Sequence, residues 1–452
     1  MQLLNKLRNK YFLSLAGNGV MSVFGLVTMA VLYRSLPVSE IGVWVFFQST
    51  VLLVDTFRSG FLTTAFIKFC AGANPQRAAE VTGSTWFIAL AITGGFILLN
   101  IPALFFVGGI HNAGLVFFLK WFGLTYLFTL PSFIASCVVQ AEQRFDRLLY
   151  IRFSSQSLFI IGVVFLIITN RGGLQNIIYV NLLAALLTSI FCLLAGYTGI
   201  TAFKSRTKAS IAELFHFGKY SVGTTLSANL FRSSDTFIIN FLLGPAPLAI
   251  YNLGQRLMEI VEIPLRSFAA TAMPSLSAAY NQDKRGEVIY VMKKYTGMIT
   301  VALVPVAIVA VCFADIAVGL IGGGKYVGTE AANVFRLFMT FALLFPADRF
   351  LALTLDVIHQ PKVNFIKVLV MLAANIAGDF AGIWVLGNIY GVAITTVIPI
   401  FIGVLISFFA LRRYMKFSFW DMYRLGYAEL KILLPGFLNR NQRINPTKNN
   451  DE

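Results

Sequence analysis

The sequence predicts an all-α polytopic membrane protein of about twelve transmembrane helices, arranged as two pseudo-symmetric six-helix bundles. Three observations predict it: an apolar composition, the regular recurrence of membrane-length apolar runs, and an internal repeat. Of 452 residues, 57% are hydrophobic and 12% charged, with mean hydropathy +0.76. A soluble domain carries about 25% charged residues. Apolar runs of roughly 20 residues, each enough to cross about 30 Å of hydrocarbon, recur down the chain. A membrane β-barrel would instead alternate over segments of about 10 residues.

The spans fall near 11–33, 41–66, 83–108, 113–140, 150–169, 176–203, 217–243, 248–279, 295–321, 330–356, 361–386 and 389–411. They divide into bundles over 1–210 and 211–415, followed by a tail over 416–452. Connections are short and leave no room for a soluble domain. Lys6, Arg8 and Lys10 precede the first run without a small-residue cleavage pattern, so it reads as a retained helix.

The net charge of +16 reports topology, not nucleic acid binding. Basic residues crowd the even-numbered connections (Lys68, Arg77, Arg144, Lys204, Lys284, Lys362) and both termini. The odd-numbered connections hold Arg34, Arg171 and Lys325. This asymmetry predicts cytoplasmic ends and an even number of spans. In the tail, SFWDMYRLGYAELKILL offers Ser418 with Asp421 as a helix start. Its Trp420, Tyr423 and Tyr427 beside basic residues predict an interfacial amphipathic helix. Residues from Asn439 onward are polar and read as disordered.

Enzymatic chemistry is not expected. His111, His216 and His359 stand apart, and Cys70, Cys137, Cys192 and Cys312 show no paired spacing, so neither a metal site nor a disulfide framework follows. GLIGGGKY, Gly319–Tyr326, matches a phosphate-binding loop until Tyr326 replaces the required Ser or Thr. It lies on the predicted outer side and reads as a glycine turn. No cofactor is called for.

The halves echo each other. Ile41-Gly42-Val43-Trp44 answers Leu248-Ala249-Ile250-Tyr251, Arg58-Ser59 answers Arg266-Ser267, and Thr64-Ala65-Phe66 answers Thr271-Ala272-Met273, at an offset of 207 or 208 residues. Parallel repeats of this kind place a substrate site at the repeat interface.

Charges inside the spans are costly, at least about 2.5–3.5 kcal/mol each, yet they recur. Asp55 and Arg58 lie in span two, Arg232 and Asp235 in span seven, and Asp379 in span eleven. Gln255, Arg256, Glu259, Glu262 and Arg266 follow helical steps down span eight. Asn229 with Arg232 continues the pattern on span seven, and Asn18 makes a weaker stripe on span one. Such stripes face protein or water, not lipid. The expected arrangement is a polar cavity for a charged cargo, with intrahelical ion pairing as the competing explanation.

The stretch FRSSDTFIINFLLGPAPLAIYNLGQRL from Phe231, Thr271-Ala272-Met273-Pro274-Ser275-Leu276-Ser277 and Gly324-Lys325-Tyr326 resemble signatures of the polysaccharide (O-antigen) flippases of the MOP superfamily. The resemblance covers nearly the whole chain in layout. It implies a transporter that moves a polyprenyl-diphosphate-linked oligosaccharide to the outer leaflet for lipopolysaccharide O-antigen or other surface polysaccharide. The expected cargo-binding residues are Arg58, Arg232, Arg256, Arg266, Asn18, Asn229 and Gln255. Asp55, Asp235, Glu259, Glu262 and Asp379 are expected to couple a proton or sodium ion, or to pair with the arginines. Glycosyltransferases and a glycan polymerase are the protein partners implied. The alternative is a MATE-like multidrug or small-molecule antiporter, which shares the fold.

Overall fold

The computed structural model describes residues 10–440. The polar end of the tail, from 441, lies outside the described residues, as do the side chain of Asn18 and those of 432–440. Sixteen α-helices follow in order, with no strand among the described residues. They are α1 (Lys10–Ser35), α2 (Val38–Cys70), α3 (Pro75–Phe106), α4 (Ala113–Ala141), α5 (Phe145–Ile168), α6 (Leu174–Leu194), α7 (Lys208–Leu242) and α8 (Pro245–Asn281). Then come α9 (Arg285–Cys312), α10 (Ala314–Gly322), α11 (Ala331–Phe341), α12 (Phe345–Val357), α13 (Pro361–Leu386), α14 (Ile389–Thr395), α15 (Val397–Tyr414) and α16 (Phe419–Arg440).

Among the described residues, nine segments are long and apolar enough to cross a membrane: α2 to α6, α9, α11 with α12, α13, and α14 with α15. This is a multi-pass membrane protein. Helices α7 and α8, 35 and 37 residues long, reach spanning length, but charges interrupt their apolar runs. In α1 the described apolar part is the short stretch Met21–Ser35.

Four predicted runs are not single helices, among them span ten, which turns 3₁₀ over Ala342–Leu344, and local chemistry explains two of the breaks. The run read as 176–203 stops at Leu194, because Gly196 (φ 70°) and Gly199 (φ 57°) take left-handed backbone, where side chains crowd the carbonyl. A 3₁₀ turn over Ile200–Ser205 follows. Span twelve breaks after Thr395, and Pro399 has no N–H to bond the Thr395 carbonyl. Span nine divides at Phe313.

GLIGGGKY packs on the end of α1. Lys325 Nζ donates to the Leu36 carbonyl at 2.8 Å, and Arg34 Nη2 donates to the Leu320 carbonyl at 2.5 Å. Gly323 holds φ 76° with the Arg34 side chain against it. The lysine that would meet a phosphate in a nucleotide loop is therefore committed to a backbone carbonyl.

The chain forms two compact units. One comprises Met1–Leu257, Asp315–Val334 and Asn375–Ala393; the other comprises Met258–Ala314, Phe335–Ala374 and Ile394–Glu452. The first has a core around Leu62, Ala65, Trp86, Ile134 and Leu214. The second has one around Ala269, Ala272, Met292, Phe350 and Met422. Ala65 and Ala272 are repeat mates 207 residues apart, and so are Leu62 and Ala269; Leu214 and Met422 are 208 apart. Burial in each core is what the repeat preserves.

Met422 belongs to the tail. Helix α16 docks on α9, where Gly297 and Gly426 bring the two backbones together: a Cβ on Gly297 would sit 1.9 Å from the Met422 carbonyl oxygen. Lys294 Nζ pairs with Glu429 at 2.6 Å and Lys293 Nζ with Asp421 at 3.5 Å.

The internal repeat extends into this tail. KASIAELFHFG, from Lys208, aligns with KFSFWDMYRLG, from Lys416, at an offset of 208. Gly218 lies against Phe61 of α2 as Gly426 lies against Gly297 of α9. Glu213 pairs with Arg77 of α3, and Asp421 with Lys293 of α9. The start of α7 and the start of α16 are thus equivalent elements.

Candidate functional site

The opening charges of span two are held tightly. Arg58 is 4% exposed, a severe desolvation that only close partners offset. Its Nη2 lies 2.7 Å from Asp55 Oδ1, and its Nε donates to the same oxygen at 2.9 Å. Nη1 donates to the Tyr126 carbonyl at 3.2 Å and Nη2 to Thr129 Oγ1 at 3.3 Å. The guanidinium also sits 4.5 Å from the Phe133 ring centroid and 5.2 Å from that of Tyr126, within cation–π range. A cavity of about 260 Å³ adjoins the pair, where Gln48, Asp55, Arg58, Thr125, Tyr126 and Thr129 line it together with the apolar Val51 and Leu52. Nearby, Asn229 of α7 donates to Thr56 Oγ1 at 2.7 Å.

A second cluster joins α7, α8 and α13. Asp235 and Asp379 are both buried, and Asn375 lies between them. Asn375 Nδ2 donates to Asp235 Oδ1 at 2.6 Å, to Asp379 Oδ2 at 3.1 Å and to Ser234 Oγ at 3.1 Å. The Tyr251 hydroxyl donates to Asp235 Oδ2. Two carboxylates in one buried pocket repel when both ionise. The expected Arg232–Asp235 pair does not form: Arg232 is exposed, and Asp235 turns to Tyr251 and Asn375 instead. Tyr251 and Asn375 were not expected here, since a reading built on charges passes over neutral donors. The signal present was the i, i+4 spacing of Asn375 and Asp379.

On α8 the polar stripe changes character along its length. Asn252 Nδ2 donates to Gln255 Oε1 at 3.4 Å. Arg256 and Glu259 are half-buried. Glu262 and Arg266 form an ion pair one turn apart, with side chains 36% and 54% exposed. In α12 and α13, Lys367 is buried and its Nζ donates to Asp348 Oδ1 at 3.0 Å.

Charges at membrane depth are costly, and this chain keeps them paired or partly exposed in its long helices. The chain belongs to the polysaccharide biosynthesis protein family, whose model matches residues 31–330. It is 20% identical over 274 residues to a probable low-salt glycan biosynthesis flippase of Haloferax volcanii, covering 61% of this chain and 57% of that protein. The chain thus spans little more than half the length of that curated relative.

Two solved structures are similar at TM-score 0.73. One is an inward-facing multidrug resistance MATE family transporter of the MOP superfamily, at 16% identity over 87% of this chain and 94% of that one. The other is the lipid II flippase MurJ in an inward closed conformation, at 15% identity over 96% and 93%. A MOP superfamily transporter from Pyrococcus furiosus matches at TM-score 0.61 and 15% identity, over 89% and 93%. The chain shares the fold of these three proteins.

Proposed function

We propose that the protein is a flippase that moves a polyprenyl-diphosphate-linked oligosaccharide from the inner to the outer leaflet of a bacterial inner membrane, for surface polysaccharide biosynthesis. The observation that carries this reading is Arg266, a guanidinium in a predicted span that is half exposed and paired with a single carboxylate. Its free edge suits the oxygens of a diphosphate. Arg232 and Arg256 add cations, and Asn229 and Gln255 add donors for sugar hydroxyls. Arg58, already surrounded by five partners, positions α2 and sets local potential. A sugar headgroup needs such a route, since each unpaired hydroxyl costs roughly 2–7 kcal/mol in hydrocarbon.

In this reading both ends are cytoplasmic, and the site opens alternately to the two sides without catalytic chemistry. Asp235 and Asp379 exchange the coupling proton or sodium ion, in preference to Glu259 and Glu262, because they are the buried acids held together. Glycosyltransferases supply the cargo and a polymerase consumes it. The acidic cluster also suits a MATE-like antiporter of organic cations, and one experiment separates the two. Deleting the gene and analysing extracted lipids by mass spectrometry is expected to show a diphosphate-linked oligosaccharide accumulating on the cytoplasmic side. Unchanged lipid-linked pools, with increased sensitivity to cationic drugs, would overturn the flippase reading.

A further inference from the structure

The docked tail leaves one face of α16 exposed among the described residues. At 100° per residue, Trp420, Arg424, Tyr427 and Lys431 fall within an arc of about 60°, and all four are exposed. Trp420 is 71% and Tyr427 61% exposed. The acids are sorted off this face: Asp421 and Glu429 turn to Lys293 and Lys294 of α9, while Met422 and Gly426 lie against the unit's core. Immediately before the helix, Arg412, Arg413 and Lys416 are also exposed. A protein-binding helix would keep an aliphatic stripe. This face instead carries two amphipathic rings and two cations, with three more cations beside it and no anion.

The repeat keeps the same design in the equivalent element. On α7, Lys208, His216 and Lys219 are exposed at the places of Lys416, just before α16, and of Arg424 and Tyr427 on it, and the acid Glu213 is again paired with a basic residue of a neighbouring helix, Arg77.

We propose that this face of α16 binds the headgroups of anionic phospholipid, with Trp420 and Tyr427 seated at the glycerol level and Arg424 and Lys431 on the phosphates. Aromatic side chains prefer the membrane–water boundary, and basic groups near an anionic surface gain attraction that falls off within a Debye length. The tail helix is thus a peripheral lipid site fixed to the second unit through Gly297 and Gly426, distinct from the cargo charges of α8. Its sidedness rests on the proposed cytoplasmic ends, but its headgroup selectivity does not.

The test is fluorescence quenching in reconstituted vesicles of phosphatidylcholine doped with phosphatidylglycerol. Bromine is carried on the phosphatidylglycerol chains in one set and on an equal amount of phosphatidylcholine in the other. The Trp420 signal is the difference between the full-length protein and Trp420→Phe. Brominated phosphatidylglycerol is expected to quench Trp420 more strongly than brominated phosphatidylcholine. The enrichment should approach about fivefold per basic side chain at low salt and shrink as salt rises. Arg424→Gln with Lys431→Gln should erase the preference while leaving quenching itself intact.

Equal quenching by the two lipids would overturn the proposal, and so would no Trp420 quenching by either, which would hand this face to a second copy or another protein. Because the vesicles carry anionic lipid in both leaflets, a wrong sidedness leaves the result unchanged. Protease accessibility of the C-terminus in oriented membranes decides sidedness separately.

Discussion

Arg58 and Arg266 occupy matching places 208 residues apart, yet they live in different environments. Arg58 is 4% exposed and bound by a carboxylate, a carbonyl, a hydroxyl and two ring faces. Arg266 is 54% exposed and, among the described residues, paired with Glu262 alone. The repeat has kept the residue and changed its job. A guanidinium with every edge occupied fixes neighbouring helices; one with a free edge remains available to a ligand. Matching sequence across a repeat therefore identifies a place in the fold, while the partners at that place decide what it does.

The first prediction would break this comparison. Arg58→Ala removes a buried guanidinium and leaves the half-buried Asp55 without its cation, and is expected to cost about 3 kcal/mol, read as a large drop in the melting temperature of the purified protein. Arg266→Ala should stay within about 1 kcal/mol of the parent and yet lose lipid-linked sugar transport in proteoliposomes. Equal stability losses in the two variants would mean that the two arginines do the same work.

The second prediction concerns coupling. Asp235→Asn or Asp379→Asn should remove the response of transport to an imposed proton or sodium gradient at fixed membrane potential. Glu262→Gln, altering an exposed pair, should retain the response. A gradient effect that survives both aspartate variants would return the role to α8.

These contrasts also show what the sequence discloses. All twelve predicted stretches are mainly helical, because membrane-length apolar runs have no other way to satisfy their backbone. Asp55 with Arg58 and Glu262 with Arg266 were legible from i, i+3 and i, i+4 spacing. Asn375 and Tyr251 were not, since neutral donors are common in spans and only tertiary packing brings them to Asp235. The docking of α16 was hidden for another reason. Its aromatic and basic residues advertise a membrane surface, while the contact itself is made by two glycines that carry no side-chain signal. The alignment of KASIAELFHFG with KFSFWDMYRLG was available, but it lies beyond the last apolar run, where a search guided by hydropathy stops.

The third prediction sharpens the comparison of the two equivalent helices. A Cβ on Gly426 would lie 2.1 Å from the Gly297 carbonyl carbon, whereas one on Gly218 would meet the ring and the carbonyl oxygen of Phe61 at 2.7 Å. The approach at Gly426 is closer and entirely backbone, so Gly426→Ala should undock α16 more completely than Gly218→Ala disturbs α7. Limited proteolysis of the tail, compared with cleavage near residue 205, measures both. Equal or reversed effects would mean that the glycines do not set the approach.

The smallest expected effect is the pH dependence of α16 docking. Hydrogen bonds from Lys294 and then Tyr290 hold the Glu429 carboxyl below its ordinary value. A carboxyl whose docked-state pKa is depressed binds its proton more weakly when docked than when released. Its contribution is therefore complete above the ordinary glutamate value and is lost as pH falls through the lower, docked value. The contribution should be about 0.2–1 kcal/mol, in the range of partly exposed pairs. Proteolytic release of the tail by an acid-tolerant protease should accelerate on acidification below the ordinary glutamate range. Glu429→Gln should release the tail faster at neutral pH and flatten that acceleration. The equivalent start of α7 keeps a paired acid, Glu213, at the place of Asp421, but Ser221 stands where Glu429 does at the 208-residue offset. Cleavage near residue 205 is therefore the internal control, expected to lack the Glu429-dependent step. An acid step of equal size at both sites, unaffected by Glu429→Gln, would show that the pH response belongs to the protein as a whole and not to the tail.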